Sequence, residues 1–244
     1  VVGTALLLLW MKKKLQAGYM VMCMLLLCLV DLWQVDKRYL NDAMFVEKSV
    51  RDNPPAMTAT DKQILQDRSL NYRVLNLASN TFNENETSYY HKSIGGYHAA
   101  KLRRYQELID AYISPEMQRI YGAVAQAQGD MTKVAGDSIF PVLNMLNAKY
   151  FILPLQGGQT VPMLNPYAYG NAWFVNQINY IDNANDELGA LGKMNLRHEA
   201  VADVKFKEKL GNALPQDDLS VVKLTKYEPN ELTYDIHSSK GGIV

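Results

Sequence analysis

The stretch LQAGYMVMCMLLLCLVDLWQV, Leu15 to Val35, decides the fold of this chain. Within it, every residue from Tyr19 to Val30 is apolar. As an α-helix the stretch rises about 1.5 Å per residue and reaches roughly 30 Å, which is the thickness of the hydrocarbon core of a bilayer. It therefore predicts a helix that spans a membrane. The alternative is a buried core helix, which apolar runs of about 10 to 14 residues usually form.

The residues before this stretch predict a second helix and the orientation of the pair. Residues 1–10, VVGTALLLLW, are apolar but about half the length needed to span, so residues 1–35 are predicted to hold the end of one transmembrane helix and one full transmembrane helix. Lys12, Lys13 and Lys14 lie between them, and short cytoplasmic loops carry an excess of lysine and arginine. The sequence thus predicts a cytoplasmic (inner) membrane location, with residues 36–244 extracytoplasmic. Lys37 and Arg38 follow the predicted span at its outer end, and because basic residues favour the cytoplasmic side they argue against this orientation.

Charge and cysteine content exclude several classes of partner and site. The 25 basic and 25 acidic residues give a formal net charge of zero, so no basic field for nucleic acid is present. Both cysteines, Cys23 and Cys28, fall inside the predicted span. They therefore predict neither a disulfide framework nor a metal site.

The rest of the chain divides into three predicted segments. Residues 36–60 are predicted as an extended exit segment, because Pro54 and Pro55 have no amide proton to give to a helix or sheet. Residues 61–215 are predicted to form an extracytoplasmic α/β domain. Residues 216–244 alternate in polarity and predict the truncated start of a β-rich domain.

Helical and strand patterns alternate along the outer part and predict an α+β (mixed α/β) fold, with helices packed against one mixed sheet. The predicted helices are Asp61 to Asp67 with Thr60 as its cap, Ala99 to Tyr112, Pro115 to Gln126, Ile139 to Leu146, and one that starts at Asp182 or Asn183 and ends near Lys193. The predicted strands are Tyr72 to Leu77, Lys149 to Leu153, Ala172 to Ile181, Glu199 to Phe206, Leu219 to Tyr227 and Glu231 to Ser238. Gly129 to Gly136 and Gln156 to Gly170 are predicted as loops.

The loop Ser79 to Gly96, SNTFNENETSYYHKSIGG, holds the richest cluster of chemically active side chains. It shows neither a strand nor a helix period, and loops this long in a compact domain are usually functional or disordered. The candidate binding residues in the loop and in the following helix are Tyr89, Tyr90, His91, Lys92, Tyr97, Arg103 and Arg104.

Two interpretations of this loop remain open. In the first, the cations contact a phosphate or an acidic sugar, Gly95 and Gly96 bring backbone N–H groups close to it, and the tyrosines stack on a sugar ring. In the second, the loop pins the outer domain in place, with the glycines making tight turns and the tyrosines packing. His91 and His98 lack a second ligand at metal-binding spacing and are predicted to form hydrogen bonds.

Several long strings resemble the C-terminal region of YfhO-family bacterial membrane proteins, particularly those of Bacteroidetes. They are LCLVDLWQVDKRYL, YRVLNL, NTFNENETSYYHKSIGGYHAAKLRRYQELI, NMLNAKYFI and NPYAYGNAWFV, in this order. The resemblance runs through nearly the whole chain and identifies it as the C-terminal part of such a protein.

The resemblance implies a multi-pass protein similar to the GT-C class of glycosyltransferases, which take a sugar from a polyprenyl-phosphate carrier outside the membrane. In that class the catalytic or metal-binding acids lie in early outer loops, which this sequence does not include. No catalytic residue, metal ligand or cofactor is therefore assigned to this chain. The expected partners are membrane lipid and a polyprenyl-phosphate-linked sugar or cell-envelope glycan.

A different function class also fits the sequence. The outer part is then a non-enzymatic binding or structural module of a bacterial membrane protein. The presence or absence of acidic residues in an early outer loop of the parent protein separates the two hypotheses. A soluble hydrolase is disfavoured, because the chain has no nucleophile-elbow, paired-carboxylate or HExxH pattern.

Overall fold

The computed structural model describes residues 2–127, 139–212 and 219–244. The chain divides into two units, with the division between Pro54 and Pro55. The predicted loop Gly129 to Gly136 lies outside the described residues. The α+β class predicted from the sequence is confirmed, because the structure mixes helices with three small sheets.

The N-terminal unit is a pair of apolar helices followed by two short turns of helix. Helix α1 (Val2–Met11) and helix α2 (Ala17–Tyr39) are joined by a turn in which Lys13 has a positive φ of 54°. None of the residues of α2 is buried, and it is long and apolar enough to cross a membrane. This agrees with the predicted span and disagrees with the alternative of a buried core helix.

The segment 36–60 is not extended throughout, so that prediction was wrong. Helix α2 continues to Tyr39, and a 3₁₀ turn (Asp42–Met44) and helix α3 (Lys48–Asp52) follow. Pro54 and Pro55 interrupt helix only locally, because a proline fixes its own φ, lacks one donor and restricts the residue before it, but leaves residues further away free to form helix.

The C-terminal unit begins at Pro55 and contains all the strands that the structure describes. Its helices are α4 (Ala59–Ile64), α5 (Thr87–Tyr90), α6 (Arg103–Leu108), α7 (Ser114–Gln126), α8 (Pro141–Met145), α9 (Ala184–Ala190) and α10 (Lys207–Leu210). Its strands are β1 (Arg73–Asn76), β2 (Ala148–Pro154), β3 (Thr160–Leu164), β4 (Gln177–Ile181), β5 (Glu199–Asp203), β6 (Val221–Glu228) and β7 (Glu231–His237).

The strands form three separate sheets, so the prediction of one mixed sheet was wrong. Strand β2 lies between β1, which is parallel to it, and β3, which is antiparallel. Strands β4 and β5 pair in parallel, with α9 between them in the chain, and β6 and β7 form an antiparallel hairpin. The segment predicted as a loop over 156–170 contains β3. Gly157 and Gly158 before the strand, Pro162 within it and Pro166 after it are residues typical of loops.

The main core lies between the three-stranded sheet and the long helical segment from Arg103 to Gln126. Phe151 of β2 packs edge-to-face on Phe140, with ring centroids 5.2 Å apart. Leu75 of β1 and Ile113 and Ile120 of the helical segment are also fully buried in this cluster. The loop 79–96 lies between β1 and the helical segment in the chain, and both of these elements pack into the same core.

The helices predicted over 99–112 and 115–126 are one continuous helical segment, which begins only at Arg103. Residues Ile109–Ile113 form a π-helical turn between α6 and α7, in which the N–H of Ser114 bonds to the carbonyl of Ile109. The wider turn accommodates Pro115, which has no N–H and whose ring would clash with a carbonyl in a regular α-helix. A proline that predicts a helix start is here inside a helix.

Smaller differences concern caps and strand ends. Thr58, not Thr60, caps α4: its hydroxyl accepts from the N–H of Asp61, and the Asp61 carboxylate bonds back to Thr58. Asn183 caps α9, as one of the two predicted alternatives. The predicted strand 172–181 is reduced to β4, because the residues before it form only an isolated antiparallel bridge, between Val175 and Ile243, and the half-buried Trp173 packs against the core.

Candidate functional site

The loop 79–96 is held in one conformation by backbone hydrogen bonds to β1. The N–H of Val74 donates to the carbonyl of Lys92 at 3.0 Å, and the N–H of Ile94 donates to the carbonyl of Val74 at 3.0 Å. Further along, the N–H of Tyr97 donates to the carbonyl of Glu84 at 2.9 Å. The loop is thus an ordered appendage of the three-stranded sheet, which agrees with its aromatic content.

The two glycines of the loop make a tight turn and do not offer free amide donors. A methyl group on Gly95 would lie 2.0 Å from the carbonyl oxygen of Thr81, so only glycine fits there. Gly96 has a φ of 106°, a conformation that favours glycine. The N–H of Gly95 donates to the Ser93 hydroxyl at 3.0 Å and that of Gly96 to the Thr81 carbonyl at 2.7 Å. Neither N–H is therefore directed at a ligand.

His91 lies in the interior, paired with an acid from helix α4. Its Nε2 is 2.9 Å from Oδ1 of Asp61, and its side chain is 1 % exposed. Burial raises the pKa of Asp61, but the hydrogen bonds from the Thr58 hydroxyl and backbone N–H and from His91 outweigh burial, and the net result is a lowered pKa. The pair links the loop to the cap of α4, so His91 is not available to a ligand.

Tyr90 and Lys92 are also used within the unit. The Tyr90 hydroxyl donates to the carbonyl of Pro55. The Lys92 ammonium donates to Oδ1 of Asn71 at 2.6 Å and lies 3.2 Å from the ring centroid of Tyr227 in β6. These contacts tie the start of the unit and the hairpin to the loop.

Three of the seven predicted binding residues share one small cavity. Tyr90, His91 and Lys92 line it together with residues 69–72, and its volume is about 160 Å³. Ligand pockets are usually about 300 to 1,000 Å³, so this cavity is smaller than a usual binding site for a sugar.

The two predicted arginines lie on the surface in ion pairs. Arg103 Nε is 2.8 Å from the Glu107 carboxylate, and Arg104 Nη2 is 2.8 Å from the Glu187 carboxylate of α9. Exposed pairs of this kind contribute little to stability and leave the guanidinium accessible from one side.

Two of the predicted binding residues have exposed aromatic side chains. The side chains of Tyr89 and Tyr97 are 60 % and 58 % exposed. Of the candidate stacking residues in the loop, these two are accessible to a ligand.

A buried carboxylate of the helical segment was not predicted from the sequence. Glu116 is fully buried, and its two carboxylate oxygens accept from the N–H groups of Val142 and Leu143 at 2.9 and 2.8 Å. Burial raises the pKa of Glu116 to about 7, although the two N–H donors and the Arg119 guanidinium at 3.7 Å lower it. Its place at the start of α8 indicates a structural role, because it satisfies the first free donors of that helix.

A larger depression lies beside the β6–β7 hairpin, and we call it the hairpin cleft. It consists of two adjoining parts of about 630 and 480 Å³. One wall is formed by residues 220–225, and the other by residues 68–70, 169–174, Asn176, Arg197 and His198. The string NPYAYGNAW was predicted as loop and start of strand, and its aromatic content was the only signal in the sequence that pointed to this place.

No group of three or more His, Cys, Asp or Glu side chains arranged to hold a metal ion occurs within the described ranges 2–127, 139–212 and 219–244. Searches of protein-family models, of curated proteins and of solved structures found no match to this chain. Its function is therefore inferred from its own residues, their geometry and the resemblance given above.

Proposed function

We propose that this chain is the C-terminal membrane anchor and extracytoplasmic domain of a YfhO-like integral membrane protein of the bacterial cytoplasmic membrane. The whole protein is proposed to be a glycosyltransferase that uses a polyprenyl-phosphate-linked sugar. This chain contributes anchoring and binding, and the chemistry belongs to acids elsewhere in the parent protein.

The observation that carries the proposal is helix α2. It has 23 residues, and none of them is buried. An apolar helix without protein around it needs lipid around it, because exposed apolar side chains are unfavourable in water. A membrane anchor followed by a separate unit with its own core supports the resemblance to the YfhO family in organisation.

The contacts of the loop 79–96 support the alternative, in which the outer part is a non-enzymatic structural module. His91 is paired with Asp61, both loop glycines have their N–H groups bonded internally, and Lys92 contacts Tyr227. These contacts favour the interpretation in which most of the loop stabilises the unit. Binding in the loop then depends on Tyr89 and Tyr97 alone.

The membrane orientation is tested by cysteine accessibility in intact cells. In a background with both native cysteines replaced by serine, Lys13→Cys is expected to be protected from an impermeant thiol reagent, and Tyr89→Cys is expected to react. Labelling of the first position and protection of the second contradict the proposed orientation.

The role of the loop is tested in the intact parent protein by paired substitutions. Tyr89→Ala with Tyr97→Ala is expected to lower sugar transfer while the amount of protein stays the same, because both side chains are exposed. His91→Ala is expected to lower the amount of protein, because it leaves Asp61 without its buried partner. If the tyrosine variant transfers sugar as well as the wild type, the structural alternative is favoured.

A further inference from the structure

Basic side chains line the hairpin cleft. Arg68, Lys223, Arg197 and His198 line it, and no aspartate or glutamate does so among the described residues. Arg68 and Arg197 have no carboxylate within 4.0 Å in the described part of the chain. Asp235 lies opposite Lys223 in the hairpin register but does not line the cleft. In a chain with equal numbers of acids and bases, this local excess of positive charge favours an anionic ligand.

One half-buried aromatic ring, that of Trp173, lines the cleft beside these cations, whereas the neighbouring Tyr169 is buried in the core. The rings of Tyr169 and Trp173 meet edge-to-face with centroids 5.1 Å apart, and the indole N–H of Trp173 donates to the carbonyl of Leu196 at 3.2 Å. Both rings are therefore fixed in position. A rigid aromatic surface binds the apolar face of a sugar ring at a low cost in conformational entropy.

Arg197 connects the charged and the aromatic parts. Its guanidinium lies over the Tyr169 ring at 5.2 Å from the centroid, and its backbone N–H donates to the Asn195 side chain at 3.1 Å. Its Nη1 donates to the carbonyl of Tyr169 at 3.5 Å, and Arg197 lines the cleft. The planar fork of a guanidinium matches the oxygens of a phosphate.

Amide side chains complete the lining. Asn171 and Asn176 line the two parts of the cleft, and the Asn171 side chain is held by hydrogen bonds to Asn71 and Asn147. Volumes of about 630 and 480 Å³ are in the range of ligand pockets.

We propose that the hairpin cleft binds a phosphorylated sugar, with the phosphate on Arg197, the sugar ring on the half-buried ring of Trp173, and Arg68 and Lys223 adding positive charge in the adjoining part of the cleft. This inference does not rest on the proposed function. Binding is measured in detergent without any transfer reaction and in either membrane orientation, so the two proposals fail separately.

The test is a fluorescence titration of the full chain in detergent with glucose 1-phosphate as the probe. Trp10 and Trp33 are replaced by phenylalanine, so that Trp173 is the remaining tryptophan of the three. Saturable quenching is expected with glucose 1-phosphate, and weaker binding is expected with glucose or inorganic phosphate alone. Binding is also expected to weaken with added salt, because the charged groups lie at the surface.

Substitution of Arg197 identifies the group that binds the phosphate. Arg197→Ala is expected to weaken binding about tenfold or more, which is the loss of about one charge-assisted contact. Arg197→Lys keeps the charge but not the planar fork and is expected to give an intermediate affinity. Arg103→Ala, on a different surface, is the matched control and is expected to leave affinity unchanged.

Near-UV circular dichroism establishes that each variant is folded, and Arg68→Ala is the second test if Arg197→Ala does not fold. Three results overturn the proposal: the absence of saturable binding of glucose 1-phosphate, equal affinity in the wild type and in the folded arginine variant, and equal affinity for glucose 1-phosphate and inorganic phosphate. The last result means that Trp173 contributes no binding of the sugar ring.

Discussion

The buried carboxylate of Glu116 makes the stability of the C-terminal unit depend on pH. Its pKa is raised from 4.5 to about 7, chiefly by burial. The folded state therefore binds more protons than the unfolded state between these two values. Stability rises with pH only where the unfolded state binds more protons, so here the free energy of unfolding decreases as pH rises from about 4.5 to about 7.

The size of the effect follows from the shift. One pKa unit corresponds to about 1.4 kcal/mol, so a shift of about two and a half units corresponds to roughly 3 kcal/mol. A typical domain has a stability of about 5 to 15 kcal/mol, so this single group changes a large part of it. Full stability from this group is present below pH 4.5, where the carboxyl is protonated in both states.

The substitution Glu116→Gln isolates the effect because glutamine does not titrate. It adds a constant cost of about 1 to 3 kcal/mol, since its amide accepts only one of the two backbone N–H groups and leaves the other without an acceptor. That cost is independent of pH. The wild-type free energy of unfolding, relative to the variant, is expected to fall by roughly 3 kcal/mol between pH 4.5 and 7.5.

The assay is urea unfolding of the full chain in nonionic detergent at a series of pH values, followed by the fluorescence of Trp173 in the Trp10→Phe and Trp33→Phe background. Glu107→Gln, on the solvent side of the same helical segment, is the control for removing a carboxylate. If the difference between wild type and Glu116→Gln stays constant or increases with pH, the two N–H donors outweigh burial and the reasoning is refuted.

Three further predictions concern local structure. Gly95→Ala is expected to destabilise the unit by roughly 3 kcal/mol, because the new methyl group meets the Thr81 carbonyl. The control Gly122→Ala, at an open helical position, is expected to stabilise the unit by about 0.5 to 1 kcal/mol. Thermal unfolding compares the two variants, and equal effects contradict the close approach of Gly95 to Thr81. Thr58→Ala is expected to cost about 1 kcal/mol in urea unfolding through loss of the α4 cap, and no change argues against that cap. The stabilising effect of Asp61, measured against Asp61→Asn, is expected to be present above pH 3.8 and to disappear as pH falls, because its folded pKa is lowered; a stabilising effect that persists in acid refutes this.

Local patterns in the sequence predicted the elements that depend on neighbouring residues. The long apolar run predicted α2, strand alternation predicted β1 and the β6–β7 hairpin, and a short apolar run before Pro154 predicted β2, each strand within one or two residues. The N-cap at Asn183 was one of two predicted alternatives for the same reason. Each of these features is determined by residues within a few positions along the chain.

The elements that the sequence did not predict depend on distant contacts. Strand β3 pairs with β2, but Pro162 within it and Gly157 and Gly158 before it indicated a loop. Pro115 indicated a helix start, but the π-helical turn before it provides the missing space. The number of sheets is set by which strands meet in space, and alternation along one strand does not contain that information.

The same distinction decides what could be known of the site. The sequence located the loop and its chemically active residues, but it did not show that His91 pairs with Asp61, 30 positions earlier. Residue type indicates what a side chain is able to bind. Its partner decides whether it is free to bind, and that partner is visible only in the fold.

The position of the acidic residues then reverses the expectation about where an anion binds. In the loop and the helix after it, His91, Arg103 and Arg104 each have a carboxylate within 3 Å. In the hairpin cleft, Arg68 and Arg197 have none within 4.0 Å among the described residues. An anion at the loop must compete with a carboxylate already in place, whereas an anion in the cleft meets two arginines without such a carboxylate among the described residues. Electrostatics therefore favours the cleft over the loop as the anion site of this unit, although the loop is the richer of the two in sequence.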